Sequence, residues 1–125
     1  MPTHQKIKRF VQETLGCLCP EEVFDKIDYQ KESSYIWGQK INIGDRLLIY
    51  IINVDSESEI PELIMSSMEK GVAERNQKGF NRFRLVLAVS RPDKLNSLAE
   101  KAFQNSKYID EKTHLHVISK NAAGF

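Results

Sequence analysis

The stretch RLLIYIINV, residues 46–54, is apolar on both faces of an extended chain. Leu47, Ile49 and Ile51 fall on one side, and Leu48, Tyr50, Ile52 and Val54 on the other. Side chains alternate across a strand, so burying both sets requires cover above and below. Such a strand belongs in the middle of a sheet with helices on both faces. A chain of 125 residues, 41% apolar and 28% charged, is long enough to build that arrangement around its own core.

The flanking stretches fit this centre. YIWGQKINI precedes it across Gly44-Asp45, and Gly first in a two-residue loop predicts a type II′ hairpin turn. DKIDYQKES reads as a weaker strand that would extend the hairpin to a meander. Upstream, Ile7, Phe10, Val11, Thr14, Leu15 and Leu18 form a helical stripe starting near Thr3, with Gly16 as its C-terminal cap. CPEEVFDKI is a fresh helical start, with Pro20 at the first position and Glu21 and Glu22 in the first turn.

Downstream, Pro61 opens a helix with Ile64, Met68 and Val72 as its stripe and Gly79 as its stop. FRLVLAVS is a buried strand. Ser90 and Pro92 open a helix carrying Leu95, Leu98, Ala99, Ala102 and Phe103, and THLHVIS is the last strand. Residues 120–125 read as a loose tail. The expected fold is a single α/β domain spanning residues 1–125: a mixed sheet with an N-terminal hairpin or meander, a right-handed parallel crossover at its end, and helices on both faces.

Eighteen basic residues against seventeen acidic ones leave a net charge of +1, so no global field draws the chain to nucleic acid or anionic lipid. No apolar run has the length of a signal peptide or a membrane span. The expectation is a cytoplasmic protein whose thiols stay reduced, with no membrane and no nucleic acid as partner.

Chemistry is most plainly suggested by the only two cysteines, Cys17 and Cys19. At a helix start, Cys19 would cap free amides that stabilise a thiolate, with Cys17 as its resolving partner, while Glu21 and Glu22 oppose the anion. Three readings follow: reversible redox work; metal binding, as zinc or an iron–sulfur group; or two cysteines that simply pack. Two thiolates fall short of a closed zinc site. The remaining ligands would come from His4, His114 and His116, or from the same pair in a second subunit. The run Leu15, Gly16, Cys17, Cys19, Pro20, Glu21, Glu22, Val23, Phe24 resembles an LGCxCPEEVF-type motif near the N-terminus of small uncharacterised proteins of anaerobic bacteria and archaea. That resemblance implies no activity.

A second cluster is basic. Arg75, Lys78, Arg82 and Arg84 lie close in sequence, and Arg91 and Lys94 follow the strand. Arg82 and Arg84 would share a strand face near Phe80, a platform for phosphate or a stacked base, with Arg91 as a further anion contact. The alternative is a solvated rim. The order helix, three strands, helix, strand resembles the restriction-endonuclease-like core. Those nucleases hold Mg²⁺ with an acidic residue near one strand and Glu-x-Lys on the next. DRLLIYIINV offers only Asp45 at its start, so the resemblance implies a fold without nuclease activity. The leading expectation is a thiol-based redox or metal-binding accessory protein. The alternatives are a non-catalytic domain that binds a protein partner or itself, and an inactive nuclease-like fold or anion binder using the 75–84 stretch.

Overall fold

The computed structural model describes residues 3–16, 21–31 and 38–122. Five strands, β1 (Ile27–Lys31), β2 (Gln39–Ile43), β3 (Leu47–Asn53), β4 (Arg82–Val89) and β5 (Thr113–Ser119), form one sheet in the order β1-β2-β3-β4-β5. The first three pair antiparallel, and β3-β4 and β4-β5 pair parallel. The meander and the mixed sheet predicted from sequence are both present, with β3 buried and central.

Helix α1 (His4–Arg9) runs on into a π turn (Phe10–Thr14) and covers one face. Ile7, Phe10, Val11 and Leu15 pack there on Ile41, Ile43, Leu47, Ile49, Ile51, Val86 and Ala88. The other face carries α2 (Ile60–Lys78) and α3 (Pro92–Gln104), packed on Leu48, Tyr50, Ile52, Phe83, Leu85 and Leu87. Gly71 of α2 sits so close to the sheet that a Cβ there would lie 2.2 Å from Phe83 Cζ. Among the described residues, no helix is long and apolar enough to cross a membrane.

Several local expectations need correction. Thr3 caps α1 as expected, its Oγ1 accepting from the Lys6 amide at 3.2 Å. The Leu15 amide, however, reaches back five residues to the Phe10 carbonyl at 3.1 Å. This wider turn carries Leu15 into the core and leaves Thr14 exposed, although Thr14 fell on the predicted stripe. Leu18 lies outside the described residues. The helix predicted from Pro20 is, where described, a five-residue 3₁₀ turn (Glu21–Asp25) that buries Val23 and Phe24.

The hairpin turn is not type II′. Gly44 and Asp45 both have positive φ, +60° and +59°, which is the type I′ signature, and three residues rather than two separate the paired Ile43 and Leu47. Asp45 tolerates this conformation because its neighbours hold it. Its amide donates to Asn42 Oδ1, and its carboxylate accepts from Asn42 Nδ2 and Lys26 Nζ, each at 2.8 Å. The tail is also tied down in part. The Lys120 amide donates to the Val89 carbonyl at 3.1 Å, and its ammonium pairs with Asp55 at 2.9 Å. Residues 123–125 lie outside the described residues.

Candidate functional site

On the α1 face, aliphatic packing gives way to basic side chains along β4 and β5. Strand alternation places Arg82, Arg84, Val86 and Ala88 on this face, and the register sets Arg84 beside His114 and Val86 beside His116. Arg84 is partly buried. Its Nη1 donates to the Leu15 carbonyl at 3.0 Å and contacts His116 Nε2 at 2.8 Å. A guanidinium has no acceptor atom, so His116 Nε2 accepts and its ring proton resides on Nδ1. Burial, reinforced by Arg84 and then His114, pushes the His116 imidazole down to about 4, so the ring is neutral at pH 7. His114 is pushed down as well, by burial and then by Arg84 and Arg82.

Arg84 differs from the other cations in one respect. Five Lys and Arg side chains among the described residues are not exposed: Lys8, Lys40, Arg75, Arg84 and Lys120. Four have a carboxylate. Lys8 meets Glu21, Lys40 meets Glu74 at 2.5 Å, Arg75 makes a bidentate pair with Asp110 at 3.0 and 2.7 Å, and Lys120 meets Asp55. Arg84 has none. With Nη1 committed to Leu15 and His116, its Nε is buried and lacks any hydrogen-bond partner among the described residues.

The predicted site residues separate accordingly. Cys17, Cys19 and Pro20 lie outside the described residues. His114 and His116 share a face as expected, but the Nε2 lone pair of His116 is occupied by Arg84 and is not free to ligate a metal. His4 goes elsewhere: its Nε2 bonds the Phe24 carbonyl, and the length of the helical segment puts it roughly 15 Å from Leu15. No group of three or more His, Cys, Asp or Glu that could hold a metal ion occurs among the described residues.

The basic stretch also divides. Arg75 is buried against Asp110 and leaves the surface patch, Lys78 pairs with Glu74 at 3.0 Å, and Phe80 packs in the α2–α3 core instead of offering a platform for a base. Arg82 and Arg84 remain together. Arg91 caps α3 beyond the far end of β4, seven residues from Arg84, or about 23 Å along a strand. There it lines a cavity of about 260 Å³ with Asp55, Glu57, Ser90 and Lys94.

One polar cluster escaped the sequence reading. Tyr50 Oη donates to Glu74 at 2.5 Å, and Lys40 and Lys78 reach the same carboxylate. Burial alone would raise the Glu74 carboxyl, but the three donors overcome it and hold the group below the usual range. The Tyr50 phenol is pushed up by burial and by Glu74. This network gives the Glu74 carboxylate three donors and ties β2 and β3 to α2. It involves no acidic residue of β2 or β3, neither of which contains one, so a nuclease-type acidic pair is not present on these strands.

No protein-family model matches the chain, and neither a curated protein nor a solved structure matches it.

Proposed function

We propose that the chain is a thiol-based redox protein in which Cys19 is the attacking thiolate, Cys17 its resolving partner and Arg84 the cation that favours the anion. The observation behind this reading is the hydrogen bond from Arg84 to the Leu15 carbonyl. Cys17 and Cys19 follow Leu15 by two and four residues in the sequence, and a chain advances at most about 3.6 Å per residue, which supports an influence of Arg84 on the pair. A neighbouring guanidinium lowers a thiol pKa from its usual value of about 8.5. The helix-start argument from sequence is weaker than this, because a five-residue 3₁₀ turn has little dipole to offer. The metal reading gains less support, since Arg84 blocks one imidazole and repels a cation.

Alkylation rates of the folded protein as a function of pH test the proposal. The expected result is a thiol titrating below about 8.5, with the midpoint rising by about one unit in Arg84→Gln, a change that keeps a donor for Leu15. Thiols that titrate at or above the ordinary value, unaffected by Arg84→Gln, would refute it. Elemental analysis of anaerobically purified protein separates the metal reading: stoichiometric zinc or iron that disappears in Cys19→Ser would replace the redox function with a ligand function.

A further inference from the structure

We infer that the Arg82–Arg84–His114 face of β4 and β5 binds the phosphate group of a small ligand. The site consists of described residues; it shares Arg84 with the thiol reading but does not require the cysteines.

A guanidinium keeps its charge at any pH a protein tolerates, so burying one without a counter-charge is costly. The protein avoids that cost at every other sheltered cation among the described residues and incurs it only at Arg84. Arg82, two residues away on the same face and about 6.5 Å along the strand, adds a second positive charge. Its one side-chain hydrogen bond among the described residues is a long one of 3.5 Å, to the Glu111 carbonyl rather than to a carboxylate. Asp110, the acidic group nearest His114 in effect, is held by Arg75. The result is a compact positive face with an unsatisfied buried donor at Arg84 Nε. An oxyanion on this face supplies the counter-charge that Arg84 and Arg82 lack among the described residues, and phosphate matches guanidinium donors in both charge and geometry.

The small size of the face identifies the ligand. Polynucleotide affinity grows with the number of phosphates neutralised. Here the face offers two arginines and one imidazole, with Arg46 and Lys112 joined to the start of β4 through their backbone carbonyls, and the net charge is only +1. One phosphate group matches the donors that Arg82, Arg84 and His114 bring together on this face.

The test is an NMR titration with inorganic phosphate at constant ionic strength, with chloride as the control, following the Arg Nε–H and His ring signals. The expected result is saturable shifts confined to Arg82, Arg84 and His114, retained in the Cys17→Ser/Cys19→Ser double variant. Arg82→Gln, at an exposed position, should weaken binding about tenfold without altering the rest of the spectrum. Shifts that do not saturate, that match those of chloride, or that centre elsewhere would overturn the inference. A single-stranded oligonucleotide that binds the same residues more tightly, with the steep salt dependence of several phosphate contacts, would overturn the assignment to a small ligand.

Discussion

Acidification from pH 7 to pH 5 should destabilise the protein chiefly through His116. In the folded state this ring accepts a hydrogen bond from Arg84 Nη1 and lies beside a permanent cation. Protonation would turn the acceptor into a donor and set two positive groups against each other. The folded imidazole is pushed down to about 4 from the ordinary 6.5, so the unfolded chain takes up the proton first. The stabilising effect is therefore complete above pH 6.5 and is lost as the pH falls from there to about 4.

That depression corresponds to about 3 kcal/mol in full. The ring is only partly buried, and solvent screening reduces the figure, so a loss of about 1–2 kcal/mol between pH 7 and 5 is expected. Urea unfolding at the two pH values, in buffer free of phosphate, measures it. His116→Gln keeps an acceptor for Arg84 and does not titrate, so it should remove most of the loss. His114→Gln should remove a smaller part, because His114 is pushed in the same direction. The reasoning fails if wild type and His116→Gln lose equal stability over this interval, or if the His116 ring signals titrate near 6.5.

Three further substitutions probe the fold. Gly71→Ala should cost about 1–3 kcal/mol in urea unfolding even though alanine favours helix, because its Cβ would meet Phe83 at 2.2 Å, and Phe83→Leu should recover part of the loss in the double variant. Asp110→Asn should cost about 2–4 kcal/mol at pH 7, since it leaves the 5% exposed Arg75 without its carboxylate, while Asp55→Asn, which breaks the pair of Lys120 with an 84% exposed carboxylate, should change stability by less than about 1 kcal/mol. Gly44→Ala should cost about 2 kcal/mol or more, from a left-handed backbone and a Cβ placed 2.6 Å from the Val23 carbonyl.

Where burial is periodic, the fold can be read from the chain. β3 announced its central place because both of its faces are apolar, and the helices over it followed from their stripes. Details decided by a single residue could not be read this way. A helical period cannot register the π turn that exchanges Thr14 for Leu15, since the exchange depends on how the helix meets the sheet. Gly44 satisfies type I′ and type II′ turns equally well. What selects type I′ is Asp45, held by Asn42 and by Lys26, nineteen residues away.

The same principle explains why the basic stretch divides in the folded chain. Arg75 and Arg84 look alike in sequence, yet one is neutralised by an aspartate 35 residues away and the other meets no carboxylate among the described residues. Composition counts charges without saying which are paired, so a net charge of +1 conceals the sites where pairing is incomplete. An unpaired, sheltered guanidinium is the more informative observation. Stability alone would favour a carboxylate near it or a neutral residue in its place, and among the described residues Arg84 has two histidines beside it and no anion. Whether its counter-charge is the phosphate of a ligand or a thiolate of the cysteine pair is a question of occupancy, and Arg84→Gln with the two thiols removed distinguishes them: phosphate binding should vanish only on loss of the arginine.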